Sequence, residues 1–550
     1  VWWDRSEVAP EDAHEHLVRA YRDERDAQSA RYQTIARYVS CYEHGFGGGV
    51  VIQDGDEPPR PERLFFNAAA NALDTWVAAV AGTRVVPQAT TERQMSGGAR
   101  ARAEDVNKGL EAVWDACGIE ALKVEVVRDF GLTGLGALWG YADDDEVTVQ
   151  RVDPQDIVAA RAESRLGAPR CIMLRVLLDR GQALATYAVR GDAEGFVGSV
   201  AARRAALEDA AAASVDDWAA DEDILEVIVG YHLPSAKGAD DGRMVVAVEG
   251  ATLVDRAWSR QRFPIALYRA KRARRGLWGI PLMRQLFGAQ REFEALTSKI
   301  ELAHHRMGGT HLVVVGGAGE EEPVVQQEIS NGQGTVLRMR SGDIKPLTPN
   351  AVAPETVRYH ADIADGMLRF NGLSPYAAQG QVPAGITGSG EAQRVYADTS
   401  NQRLIEAHRE IERFSLEVAE CILDAIEDVV ERHGAYVVRH GAPGGFSEID
   451  WAELIKDRRH MRLRMGPVSF LAQTESAKRA RIDEWFNAKL ISPSTYKRLS
   501  GVADLEAERQ LDVSDEEIVD KCIEAIVERG ADILPEGTDN FALIVARGTR

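Results

Sequence analysis

The stretch from Gly279 to Met307, GIPLMRQLFGAQREFEALTSKIELAHHRM, constrains this chain more than any other. Leu282, Leu286, Ala289, Phe293, Leu296, Ile300, Ala303 and Met307 recur at alternating steps of four and three, an a/d-like stripe on one face of a long helix. Pro281 suits the first turn, where its missing N–H does no harm. Gly308 and Gly309 end the run. Such a rod is roughly 40 Å long. Its other face carries Arg284, Gln285, Arg291, Glu292, Glu294, Lys299 and Glu301. A narrow seam with wide polar flanks suits a helix packed beside copies of itself. A long core helix of one globular domain would show the same stripe.

A chain of 550 residues has room for about two to four domains. It is 45% hydrophobic and 27% charged, the balance of a folded protein. No stretch of about eighteen uninterrupted apolar residues occurs, so no membrane span is expected. The opening VWWDRSEVAPED lacks the basic and apolar regions of a signal peptide. It also lacks an initiating Met, so the true start is expected upstream. Cys41, Cys117, Cys171, Cys421 and Cys522 are scattered, odd in number and free of CxxC spacing. That suggests neither a zinc site nor a disulfide framework, and reduced thiols are the default. The net charge of −21 opposes tight gripping of nucleic-acid phosphates. It leaves open a surface along which DNA passes without sticking.

Taken in order, residues 11–44 read as a helix and 45–61 as a loop. GFGGG there lacks the Lys-Ser/Thr of a phosphate loop. A second helix begins near Asn67 with Leu73, Trp76, Val77 and Val80, and VVPQAT follows as an extended piece. Residues 100–130 are helical, with Val106, Leu110, Val113 and Trp114 on one face. In GLTGLGALWGY the small residues allow close packing of two elements and do not spell a dinucleotide fingerprint. From Val147 the pattern turns to strands: VTVQRV, CIMLRVLL, ALATYAV, EVIVGYHL, RMVVAVEG and FPIALY. The acidic run 143–146 reads as a solvated hairpin turn, since it lacks the ligand spacing of a calcium loop. An Ala-rich acidic helix is expected over about 202–222.

RAKRARR, 269–275, is the most basic run. It is either a solvated or subunit-pairing surface or a phosphate contact. After the organising helix, 308–350 forms a small β unit: THLVVV, a loop GGAGEEEPVVQQE, GTVLRM, and an exit over 343–349. A second helix over 354–371 has Val357, Ala361, Ala364 and Met367 on one side and Arg358, Asp362, Asp365 and Arg369 elsewhere. GLSPYAAQGQVPAGITGSG, 372–390, is rich in Gly and small residues and reads as a mobile loop. The longest helix then runs from Glu391 to His433, about 60 Å, with Leu404, Ala407, Ile411, Phe414, Val418, Cys421 and Ala425 in register. AYVVRH and MRLRMGPVSF are strand-like. The tail, 473–530, reads as three short amphipathic helices.

Catalytic constellations are not legible. His304 and His305 are adjacent and point about 100° apart on a helix, so they cannot chelate one metal together. HEHL is not HExxH, and there is no GxSxG elbow, Walker A or metal-spaced acidic cluster. The expectation is a non-enzyme without metal or cofactor. A multidomain enzyme with an unrecognised site, or a homo-oligomeric scaffold without a channel, remains open.

Element order points further. FPIALY followed by GLWGIPLMRQLFGAQREFEAL, then SGEAQRV opening the long helix, then TESAKRARIDEWFNAKLISPSTYKRLSGVADLEAERQ, resembles the portal proteins of tailed bacteriophages, the head-to-tail connectors. The resemblance spans roughly residues 60 to 510. It implies an α+β, ring-forming portal fold: an N-terminal helix and linker (1–60), a wing (61–280), a first stem helix (281–307), a clip (308–350) and a second stem helix (351–371). A tunnel loop (372–390), a long helix with return wing strands (391–472) and a crown-like helical C-terminus (473–550) complete it. It further implies a ring of about twelve copies at one capsid vertex of the virion, through which double-stranded DNA is packaged and ejected. Its partners would be the terminase large subunit, head-completion, adaptor and tail proteins, and the major capsid and scaffold proteins. No membrane would be involved.

On that resemblance Leu282, Leu286, Phe293, Leu296 and Ile300 would pack between subunits in the stem. Arg338, Arg340 and Lys345 in the clip, with Arg358 and Arg369 on the second stem helix, are DNA-side candidates; subunit salt bridges are the other reading of each. Gln379, Gly380, Gln381, Val382, Pro383, Gly385, Thr387 and Ser389 would form the tunnel loop. Glu320, Glu321 and Glu322 would face partners from the clip.

Overall fold

The computed structural model describes residues 1–46, 66–82, 86–91, 97–160, 169–188, 195–210, 223–274, 276–308, 311–315, 343–347, 352–373, 404–442, 445–455, 458, 461–465 and, in part, 482–496. The chain is α+β and divides into two compact units. Unit 1 comprises Val1–Ala30, Val77–Ile280 and Ala384–Arg550; unit 2 comprises Arg31–Trp76 and Pro281–Pro383.

The described helices are α1 (Ala13–Ala27), α2 (Ser29–His44), α3 (Ala68–Ala81), α4 (Gly97–Ala116), α5 (Ile119–Thr133), α6 (Arg180–Tyr187), α7 (Val200–Asp209), α8 (Met283–Gly308), α9 (Pro354–Phe370), α10 (Ile405–His433) and α11 (Trp451–Leu454). The strands are β1 (Pro87–Thr91), β2 (Gly136–Asp143), β3 (Glu146–Val152), β4 (Ile157–Ala159), β5 (Cys171–Asp179), β6 (Ile224–His232) and β7 (Arg243–Val248). They continue with β8 (Ala251–Ala257), β9 (Ile265–Tyr268), β10 (His311–Val315), β11 (Asp343–Leu347), β12 (Val437–Ala442), β13 (Gly445–Asp450) and β14 (Met461–Met465).

Unit 1 is built on an antiparallel five-stranded sheet, order β4-β5-β6-β7-β8. Both of its faces are covered, which is why β6 reads as nearly continuous apolar sequence rather than as alternation. Leu225, Val227, Val229 and Tyr231 share one core with Trp139, Ala183, Leu207 and Ile265. Ile228, Met173, Val245 and Ala247 face a second core with Trp2, Leu17 and Tyr21. Gly230 makes the second core possible, because a Cβ there would lie 2.6 Å from Leu17 Cδ1 and 2.8 Å from Trp2. Arg243, fully buried, pairs with Asp255 at 2.6 Å and donates to the Trp2 carbonyl at 2.8 Å, tying the first residues to the β7–β8 hairpin.

A three-stranded sheet, β3-β2-β9, carries α10 across it. The 404–425 stripe is the face that packs: Leu404, Ala407, Ile411, Phe414, Val418, Cys421 and Ala425 are all buried. Tyr268 stands edge-on to both Phe130 and Phe414. The small residues of GLTGLGALWGY do set close approaches. A Cβ on Gly136 would sit 2.1 Å from the Val126 carbonyl oxygen, and one on Gly140 3.1 Å from Cys421 Cβ.

Several local expectations are corrected. ALATY, 183–187, is helical within α6, because the Asp179 carboxylate accepts from the Gly181 and Gln182 N–H groups and caps it. Residues 11–44 form two helices that break at Gln28, and 100–130 breaks at Gly118, which has φ 62°. ATLVDRA and GFSEID are strands, β8 and β13, that alternation alone did not mark. In the small β unit, 343–347 is not an exit segment but the antiparallel partner of β10, with Val313 opposite Lys345. GTVLRM, the 391–403 start of the long helix and the 473–530 tail, apart from a few residues, lie outside the described residues.

Candidate functional site

Unit 2 holds the two rod helices, and the site is built from α8 and α9. The buried face of α8 runs Met283, Leu286, Gln290, Phe293 and Thr297, so the expected stripe is rotated to admit two polar residues. Gln290 is fully buried because its amide is fully used. Its Nε2 donates to the Phe66 carbonyl at 3.0 Å and to Glu294 at 2.7 Å, and its Oε1 accepts from the Ala69 N–H at 3.0 Å. It thereby caps the start of α3. Glu294 also accepts from the Phe46 N–H at 3.0 Å. Neither role was visible in the stripe, though Gln290, four residues after Leu286 and three before Phe293, held the spacing that marks a buried position.

The expectation that this seam is left for neighbouring copies is corrected at three positions. Leu286 (0% exposed), Phe293 (6%) and Leu296 (6%) are already covered within one chain. Leu282 and Ile300 are half-buried.

Helix α9 packs on α8, with His360 in contact and Met367 buried. The His360 ring stacks on Phe293 at 4.1 Å between centroids, and its Nε2 lies 2.8 Å from Thr297 Oγ1. The Thr297 hydroxyl already donates to the Phe293 carbonyl at 2.9 Å, so its oxygen must accept from His360. The neutral ring therefore carries its proton on Nε2. Burial holds the His360 pKa below its ordinary 6.5. A base with a depressed folded-state pKa favours the unfolded chain once protonated. Its stabilising share is thus complete above pH 6.5 and declines as pH falls through the lower folded value. The melting temperature of wild type should drop more between pH 7.5 and pH 5.5 than that of His360→Gln. Equal drops would contradict this assignment.

The remaining circumference of α9 divides into three arcs at about 100° per residue. Opposite His360 and Met367 lies a polar arc of Arg358, Asp362, Asp365 and Arg369. Arg358, Asp362 and Arg369 are exposed there, and Arg369 meets Asp365 at 3.8 Å. On one side of the buried arc are Val357, Ala361, Ala364 and Leu368, with Val357 48% exposed. On the other side stand Tyr359 (53% exposed) and Phe370 (70%). Val357, Ala361, Ala364 and Met367 do share one side of α9, as expected, but only Met367 of these is fully buried.

Of the DNA-side candidates, Arg358 and Arg369 share the polar arc, and Lys345 is on β11. Arg338, Arg340, the clip residues Glu320, Glu321 and Glu322, and the tunnel-loop residues Gln379 to Ser389 lie outside the described residues. The basic run 269–275, in unit 1, does not act as one patch. Arg269 is buried on the Leu277 carbonyl, and Arg272 pairs with Glu410 at 3.0 Å; Lys271 and Arg274 are exposed.

Two cavities bear on enzyme chemistry. A groove of about 360 Å³ in unit 2 is lined by Arg37, Ser40, Cys41, Phe46 and Phe287. Burial pushes the Cys41 thiol up to about 11, the reverse of an activated nucleophile. A cavity of about 70 Å³ in unit 1 is walled by Trp451, Leu423, Glu420 and Arg458. Both charged residues there belong to an ion network. Arg262 grips Asp424 with two bonds of 2.6 and 2.7 Å, Arg260 grips Asp428 at 2.6 Å, and Arg458 reaches Asp424 and, at 3.0 Å, Glu427. Among the described residues no group of three His, Cys, Asp or Glu is placed to hold a metal. No described helix is long and apolar enough to cross a membrane. No family model matches the chain, and no curated protein does.

Proposed function

We propose that this chain is the subunit of a phage portal, a ring of about twelve copies at one capsid vertex through which double-stranded DNA enters and leaves. The observation that carries the reading is the arrangement of α9. One arc is used within the chain, a polar arc faces the opposite way, and unlike apolar flanks are left on either side. A two-fold dimer buries one patch against itself; two opposite and unlike patches suit head-to-tail contacts, which make a ring when the rotation between copies closes. In such a ring the polar arc is free for the channel. Its mixture of Arg and Asp, in a chain of net charge −21, suits passage of a duplex without tight retention.

Of the nine large apolar residues well exposed among the described residues, five are in unit 2: Phe46, Phe66, Val357, Tyr359 and Phe370. Val357 stands on one flank of α9 and Tyr359 and Phe370 on the other, so each flank offers apolar surface to a neighbour. The packaging terminase would engage the ring during filling, and head-completion, adaptor and tail proteins afterwards. The capsid and scaffold proteins would surround it in the virion. Native mass spectrometry of the purified chain tests the reading. A ring mass near twelve times 60.3 kDa is expected, and a monomer at every concentration would overturn it.

A further inference from the structure

We infer that neighbouring copies lock through α9 in one register: Tyr359 of one copy enters the gap between Val357 and Ala361 of the next. The inference rests on the ring reading and assigns which surface meets which. In a cyclic ring the copies are parallel and equivalent residues stand at equal height. Residues that face each other across the seam must then match in height as well as in shape.

The two flanks of α9 match in this way. Tyr359 is bulky, half-exposed and midway in height between Val357 and Ala361, which are small and exposed on the opposite flank. A projecting ring opposite a gap one helical turn long is the geometry of knobs-into-holes packing.

Charge provides a separate match. The edge of the polar arc beside the aromatic flank carries Glu355 and Asp362. The edge beside the small flank carries Asp365, which Arg369 meets at 3.8 Å, and Arg358, whose height falls between those of Glu355 and Asp362. Glu355, Asp362 and Arg358 are exposed, and none has an ion-pair partner among the described residues of its own chain. Bringing the aromatic flank of one copy to the small flank of the next brings Glu355 and Asp362 to Arg358. Arg358 is then a seam residue, and Arg369, at the middle of the polar arc, is left to the channel face.

The test is paired cysteines. Tyr359 and Ala361 point nearly oppositely on one helix, so they cannot bridge within a chain, and any disulfide between them joins two copies. In Tyr359→Cys/Ala361→Cys, mild oxidation should convert the chain into a ladder of covalent multimers on a non-reducing gel. Either single variant should stay monomeric on that gel. A dimer from a single variant would mean that like flanks meet, and would overturn the inference. Rings by native mass with no ladder from the double variant would overturn the register while leaving the ring standing. Absence of rings in the unoxidised parent would remove both.

Charge reversal provides a check that needs no oxidation. Arg358→Glu should reduce the ring fraction, and adding Asp362→Arg should restore it. Failure of the second change to restore rings counts against the pairing.

Discussion

Ala361→Arg should break the ring into single, folded chains. Ala361 is exposed in the single chain, and a surface change of this kind normally alters stability by only about 0.5 kcal/mol. In the assembled seam the same position lies under the aromatic flank of the next copy. A guanidinium there fills the gap meant for Tyr359 and is stripped of water beside a ring it cannot stack on without displacing the helix. A disrupted anchor of this sort costs at least about 2 kcal/mol per contact, roughly thirty-fold in affinity. Every copy makes two such contacts, so the loss acts on both sides of each subunit. Native mass spectrometry should show monomer where the parent shows rings, with an unchanged melting temperature for the monomer. Intact rings in this variant would show that α9 is not at the seam.

Asp424→Ala should be the most damaging single change to the stability of unit 1. Asp424 is 4% exposed and accepts from Arg262 and Arg458, with Arg260 close by. Burial works to raise its pKa, but the Arg262 bonds and the charges of Arg458, Arg262 and Arg260 outweigh that and hold it below 3.8. Removing the carboxylate leaves the guanidinium groups around a hole, a loss of about 3–5 kcal/mol for a broken buried pair. The pH dependence has a definite sign. A carboxylate with a depressed folded-state pKa contributes stability that is present above 3.8 and is lost as pH falls below it. The variant should therefore lose most relative to wild type near neutral pH, and the gap should narrow in acid. Urea unfolding followed by tryptophan fluorescence reads both. A loss of under about 1 kcal/mol at pH 7 would show that the network is surface decoration.

The two stripes were not equally legible. That of α10 read correctly along its length because every member, from Leu404 to Ala425, is apolar and buried against one sheet. That of α8 was half legible. Leu286 and Phe293 belong to it, but Gln290 and Thr297 occupy the buried arc because their hydrogen bonds are met. Hydropathy counts such residues as surface. The flanks of α9 were missed for a related reason: periodicity shows that Val357 and Ala361 share an arc with Ala364, but not which arc the chain itself covers.

Short elements failed where local chemistry decided them. The cap at Asp179 made a helix of ALATY, and the polar residues of ATLVDRA and GFSEID hid two strands. The ion network was invisible because Arg260 and Arg262 are far in sequence from Asp424 and Asp428.

Electron-microscope images of the purified particle, averaged along its symmetry axis, test the central claim most directly. The account predicts about twelve equal lobes around a central hole wide enough for a duplex. A compact single copy, or a two-lobed dimer without a hole, would contradict it.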